Sequence, residues 1–196
     1  MQIMLRCRSN EVSVAAEVVL GVGSNVAPER QVPRALEALA RLLAGLRVSP
    51  VYACPAVGYE GPEYWNLVCA GHTRLNLAEL KHELVALERQ SGRPADLPPG
   101  QPRTLDLDIL LYQRNPSDPP PGNTTHAADV CAPHPDILTQ AYILRPLADL
   151  MPDRSHPDTG KTFAEHWRAS EKGLPMRVVP LPGDPACTGF GWTAGA

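Results

Sequence analysis

At 196 residues, 43% of them hydrophobic, the chain is long enough for one well-cored domain and short for two. A net charge of −3 with no Lys/Arg cluster argues against a nucleic-acid or membrane-surface protein. Five scattered cysteines without C-x-x-C spacing argue against a disulfide framework or a zinc site, and predict a reducing, cytoplasmic setting. The apolar run VVLGV is too short and too closely preceded by Glu11 and Glu17 for a signal peptide or a membrane span.

Residues 14–22 read as a first strand, after which GVGSN turns the chain into a helix from the early thirties to Gly45. Val32, Leu36, Leu39 and Leu43 recur there at helical spacing. LRVSPVYAC reads as a strand, CPAVGYEGPEYW as a loop and NLVCAGHTRL as another strand. LAELKHELVALERQSG follows as a second amphipathic helix, with Leu80, Leu84 and Leu87 on one face and Gly92 as its stop. Prolines cluster at 94–102, 116–121 and 175–185 and predict loops, because proline restricts φ and removes a donor from any ladder. DLDILLY is a further strand, PHPDILTQAYILRPLADLMPD holds a short helix and KTFAEHWRAS another. Residues 1–15 and 181–196 read as weakly structured extensions of a single domain spanning 1–196. The order β-α-β-β-α-β is the ferredoxin-like α+β arrangement, an antiparallel sheet with helices on one face and an open face for a site.

RTLDLDILL, residues 103–111, sets acid into a core strand. Side chains alternate, so Leu105, Leu107, Ile109 and Leu111 are expected on one face, and Thr104, Asp106, Asp108 and Leu110 on the other. Carboxylates two residues apart in a strand sit roughly 6–7 Å apart, close enough to share one cation or to bridge two about 3.5–4 Å apart. Arg103 stands just before the pair and Arg93 in the Gly/Pro-rich loop ahead of it. Acids that hold Mg²⁺ and arginines that grip phosphate are the parts of a phosphoryl-transfer site. His126, Cys131 and His134 fit no zinc pattern. Trp65 and Trp167 are expected in the core, and Arg145 on the surface or in a structural ion pair.

LGVGSN (20–25), PVYACPAVG (50–58), EYWNLV (63–68), PRTLDLDILLY (102–112) and PHPDILTQAYILRPLADLMPD (133–153) are the most distinctive segments. Together they resemble the 6-hydroxymethyl-7,8-dihydropterin pyrophosphokinase family of the folate pathway. They keep the family's order and spacing over residues 16–170, and PRTLDLDILLY is the specific match. The resemblance implies that a pterin hydroxymethyl oxygen attacks the β-phosphorus of ATP, the co-substrate, with release of AMP. It implies two Mg²⁺ ions on Asp106 and Asp108, with Arg93 and Arg103 completing the catalytic set. It places the pterin between Tyr64 and Tyr142, on Asn66, and along the Cys54, Pro55, Val57, Gly58 loop, where Cys54 replaces a usual threonine. Glu88, Arg103, Ile109 and His134 are the implied ATP-binding residues.

The nucleotide side departs from the family pattern. Ala95 stands for an arginine, Pro99-Gly100-Gln101 for an Arg-Trp-Gly run, and Asp129, Cys131, Pro135 and Gln140 for an arginine, a threonine, a tyrosine and an arginine. Each charge-assisted hydrogen bond to phosphate that goes unmade costs about 1.5–3 kcal/mol. The leading expectation is therefore a pterin diphosphotransferase of folate or a related pterin route, working as a monomer on two small molecules, without nucleic acid or membrane. The alternative is a non-catalytic or altered-specificity pterin-binding paralogue.

Overall fold

The computed structural model describes residues 15–94, 96, 98, 100–114, 125–127, 130–170 and 173–181, with main chain alone at 125–127, 130 and 131. Most of both expected extensions, together with Ala95, Pro99, Asp129 and the side chains of His126 and Cys131, lies outside the described residues.

Strand β1 (Ala16–Ser24) leads to helix α1 (Pro28–Leu42), then β2 (Ala44–Val48), β3 (Val51–Cys54), β4 (Tyr64–Thr73), helix α2 (Leu77–Gln90) and β5 (Asp106–Gln113). The hairpin β6 (Thr125–Ala127) and β7 (Val130–Ala132) follows, then α3 (Ala141–Leu150), α4 (Phe163–Ala169) and β8 (Arg177–Val179). The main sheet runs β5-β1-β4-β3-β8, with β2 beside β3 on β4, and these strands pair antiparallel. That is the ferredoxin-like α+β order, with β2 and β3 as two halves of one expected strand.

The break between those halves has a local cause. Pro50 has no N–H to give the ladder. Ser49 repairs the gap: its amide donates to the Val68 carbonyl at 2.9 Å, and its hydroxyl accepts from the Val68 amide at 3.0 Å.

β1 lies inside the sheet between β5 and β4 and is buried on both sides, so its apolar residues split between two cores. Val18, Leu20 and Val22 pack with Leu36, Leu39, Leu80, Leu84 and Leu107 under α1 and α2. Val19 joins Val68, Leu144, Leu147 and Phe163 under α3 and α4. The sheet's second face is thus half roofed by the two late helices, and the remaining half carries the site.

Three expectations change in detail. β1 runs on through Gly21 and Gly23 to Ser24 instead of turning at the glycines, because Gly23 pairs with both Asn66 and Asp106. Leu111 lies in the α3 core and not with Leu105, Leu107 and Ile109. The register against β1 slips between Val19↔Leu111 and Leu20↔Ile109, so Leu110 bulges and the alternation resets. Arg177–Val179, expected in a loop, adds an edge strand to β3. Among the described residues no helix is long and apolar enough to cross a membrane.

Candidate functional site

A cavity of about 410 Å³ opens on the uncovered half of the second sheet face. Its floor comes from the strands: Asn66 on β4, and Asp106, Asp108 and Leu110 on β5. Cys54, Pro55, Val57 and Gly58 from the end of β3 form one side, and Tyr64 and Tyr142 stand at the walls with Arg103. All seven residues expected to meet a pterin therefore share one cavity with three of the four expected catalytic residues. Gly23 makes the floor passable: a Cβ there would lie 3.1 Å from the Asn66 Oδ1.

Asp106 is gripped at both oxygens. Arg93 Nη1 donates to Oδ1 at 2.6 Å and Arg103 Nη1 to Oδ2 at 2.5 Å. Arg93 also meets Glu88 Oε1 at 2.7 Å, and that same oxygen accepts from the Leu107 amide at 2.7 Å. Glu88, only 6% exposed, thus commits its carboxylate to fixing Arg93 and the start of β5, which gives it a structural duty besides the nucleotide contact expected of it. Burial pushes its pKa up, against the pull of the Leu107 amide and Arg93.

Asp108 is placed differently. Burial first, and the neighbouring Asp106 second, push its pKa up, while His134, Lys81 and Arg103 act only at a distance to lower it. No described cation lies within ion-pair range of it. A half-buried carboxylate beside a like charge is costly, and a divalent ion would relieve that cost. The pair fits a hard, oxygen-preferring cation: Asp106 keeps lone pairs beyond those its arginines use, and Asp108 has its oxygens open to the cavity. Among the described residues no group of three or more His, Cys, Asp or Glu gathers in metal-binding range. The protein side of such a site is therefore two carboxylates, leaving the other positions to substrate oxygens and water.

The opposite end of the cavity is neutral and suited to a flat polar ring. Asn66, 8% exposed, donates from Nδ2 to Cys54 Sγ at 3.2 Å. Burial pushes the Cys54 thiol up to about 11, so it stays protonated near neutral pH. Burial likewise raises Tyr142 to about 12, keeping its phenol neutral.

The remaining expected residues frame the cavity from outside its lining. His134 Nδ1 accepts from the Asp136 amide at 3.2 Å, so the neutral ring carries its proton on Nε2, which is left as a donor. The Ile109 side chain is turned into the core under α1 and α2, away from the cavity, and its main chain pairs with Leu20 of β1. Pro135 opens a short 3-10 turn and Gln140 is the N-cap of α3. Arg145 forms the expected structural pair, with Asp149 at 3.0 Å.

Sequence reasoning missed Asn25 and Tyr59. Asn25, 3% exposed, accepts from the Arg103 amide at 2.6 Å and donates to the Tyr59 hydroxyl at 2.8 Å. Tyr59 lines the cavity beside Gly100. The one signal in the sequence is the Asn that closes LGVGSN, a small polar residue at a strand end beside the catalytic loop.

The model of the family described as 7,8-dihydro-6-hydroxymethylpterin-pyrophosphokinase (HPPK) matches residues 19–152. The 2-amino-4-hydroxy-6-hydroxymethyldihydropteridine pyrophosphokinase of Pseudomonas aeruginosa is 39% identical over 145 residues, covering 72% of this chain and 84% of that one. The protein of the same name from Synechocystis is 32% identical over 150 residues, covering 75% and 72%. Among solved structures, HPPK-DHPS of Plasmodium falciparum superposes with a TM-score of 0.63 at 11% identity, covering 81% of this chain and 46% of that longer one, a likeness of fold alone. The family match, running from within β1 to just past α3, encloses the whole cavity: the chain belongs to the 7,8-dihydro-6-hydroxymethylpterin-pyrophosphokinase family.

Proposed function

We propose that this chain transfers a diphosphoryl group from ATP to the hydroxymethyl oxygen of 6-hydroxymethyl-7,8-dihydropterin, releasing AMP, in folate biosynthesis. The observation that carries this reading is one cavity with two chemistries: a neutral end built on Asn66 and two tyrosines, and a charged end built on Asp106, Asp108 and Arg103.

Asn66 reads the pterin's amide edge, since its amide both donates and accepts. Tyr64 and Tyr142 offer ring faces and edges for stacking. Their placement holds the hydroxymethyl group toward Asp108, so much of the barrier is lowered by orientation. Arg103 and Arg93 each use one guanidinium nitrogen on Asp106 and retain others for phosphate oxygens. His134 Nε2 is a further donor at the nucleotide side. Asp106 and Asp108 are the residues that would hold Mg²⁺, two ions in this reading, whose charge would neutralise the triphosphate and help orient the attacking oxygen. In the transfer the pterin hydroxyl gives up its proton to solvent as its oxygen forms a bond to the β-phosphorus, the bond from that phosphorus to the α,β-bridging oxygen breaks, and AMP departs with that oxygen. The reading includes a monomer and a cytoplasmic setting, the latter supported by the buried free thiols Cys54 and Cys69.

The test is AMP formation from MgATP and 6-hydroxymethyl-7,8-dihydropterin by the purified chain, with Asp106→Asn and Asp108→Asn beside it. AMP from the parent and a loss of about 10²-fold or more in both variants is expected, since each removes a charge from the transfer site. Pterin bound without AMP would instead favour a non-catalytic paralogue, and unchanged turnover in both variants would remove the metal assignment.

A further inference from the structure

Tyr59 belongs to none of the family motifs that mark this chain, yet the fold goes to some length to hold its ring. An ideal Cβ on Gly61 would fall 2.5 Å from Tyr59 Cε2 and 3.2 Å from Cδ2, so the loop has room for this ring only because residue 61 has no side chain. On its other side lies Gly100, at φ +75, whose ideal Cβ would stand 3.8 Å from the Tyr59 Cβ. The hydroxyl is fixed as firmly. It accepts from Asn25 Nδ2 at 2.8 Å and donates to the Tyr64 hydroxyl at 3.1 Å. Asn25 is itself anchored on the Arg103 amide, so the ring is registered against the phosphate-facing segment of the site.

We propose that Tyr59 is a specificity-determining residue of the pterin subsite, closing the cavity as a third aromatic wall and orienting the Tyr64 hydroxyl toward the ligand. This rests on the functional reading above. The phenol chain has a direction. Tyr59 gives its proton to Tyr64, so the Tyr64 oxygen is occupied as an acceptor and its own O–H is left to donate elsewhere. Burial first, and the Tyr59 phenol second, raise the Tyr64 pKa, so that proton is retained at working pH. A flat heteroaromatic ring entering the cavity therefore meets a stacking surface and an oriented donor, from residues tied together before it arrives. Gly100 brings no side chain to the loop that faces Tyr59, so the ring is the aromatic group that this edge of the cavity offers.

The experiment compares Tyr59→Ala, Tyr59→Phe and Asn66→Ala in the full chain, reading pterin Kd by titration and KM for pterin and for ATP by AMP release. Tyr59→Ala should raise pterin Kd about tenfold while ATP KM moves less than about twofold, and Tyr59→Phe, which keeps the ring but not the proton, should raise pterin Kd about threefold. Pterin Kd within about twofold of the parent in both Tyr59 variants, with Asn66→Ala still weakened, would overturn the proposal and leave the functional reading standing. Equal losses for pterin and ATP would also overturn it, as the mark of a merely structural residue. A parent chain that binds no pterin would overturn the reading itself and the proposal with it. Should Tyr59→Ala fail to fold by circular dichroism, Tyr59→Phe decides by the same criterion.

Discussion

Two arginines hold Asp106 while Asp108, two residues on, stands with no described cation in reach. The asymmetry suits a site that must present negative charge to a cation without collapsing into an internal salt bridge. Its cost is accepted at the site and offset elsewhere in the fold, as with other strained functional groups. A second buried ionisable group, His156, has no such duty. It is 5% exposed, its Nδ1 accepts from the Asp158 amide at 3.2 Å, and it stands edge-on to Phe163 with centroids 6.2 Å apart. Burial lowers its pKa below the ordinary 6.5, with Asp158 opposing and His166 adding to the shift. The unfolded chain therefore binds a proton at this position more readily than the folded one, and stability is lost as pH falls through about 6.5. His156→Asn, which keeps a hydrogen-bond acceptor without the titration, should flatten the drop in unfolding midpoint between about pH 7 and 5. A thermal-melt series in which parent and variant fall equally steeply would dismiss the effect.

Among the elements, α3 matters most to the site because Tyr142 and Ile143 in its first turn line the cavity. One turn further on, Arg145 Nε donates to the Tyr52 hydroxyl at 3.0 Å and to Asp149 Oδ2 at 3.0 Å, and Tyr52 donates to that same carboxylate. The guanidinium also lies 5.6 Å from the Tyr52 ring centroid and 5.3 Å from that of Trp167. Cation, carboxylate and two rings thus fasten α3 to β3 and α4 at once. Removing the carboxylate leaves the Tyr52 hydroxyl short of an acceptor and Arg145 without its counter-charge, so Asp149→Ala should cost about 1–3 kcal/mol. Pterin affinity should weaken with it, through Tyr142. Denaturant unfolding checks the first part, and an unmoved midpoint would mean that the cluster does not hold the helix.

For the whole molecule, the inner strands β1 and β4 carry a core on each side and the cavity occupies what the second core leaves uncovered. Because the described residues offer a cation only two carboxylates, metal and nucleotide binding should be strongly linked. Mg²⁺ alone should move the unfolding midpoint by less than about 1 °C, and Mg²⁺ with a non-hydrolysable ATP analogue by several degrees, as mass action on the folded state requires. Equal stabilisation by Mg²⁺ alone would show that further ligands complete the site. The stretch between Arg93 and Arg103 carries no basic residue, so the size of that shift reports how far Arg93, Arg103 and His134 suffice.

Much of this was legible in the chain itself. The helical spacing of Leu36, Leu39, Leu80 and Leu84, the two-residue period of DLDIL and the β-α-β-β-α-β order follow from local rules, and so identify the fold and put both aspartates on one face. Those patterns depend on near neighbours in sequence. The bulge at Leu110, the edge strand Arg177–Val179, the roofing by α3 and α4, and the Asn25–Tyr59–Tyr64 chain do not. Each joins residues brought together only by packing, with Asn25 and Tyr59 34 positions apart. Nor could spacing tell which aspartate would be held by arginines and which left for a cation. Arg103 reaches Asp106 from three residues away, but the second grip came from tertiary structure, through the buried Glu88 that fixes Arg93 against Asp106.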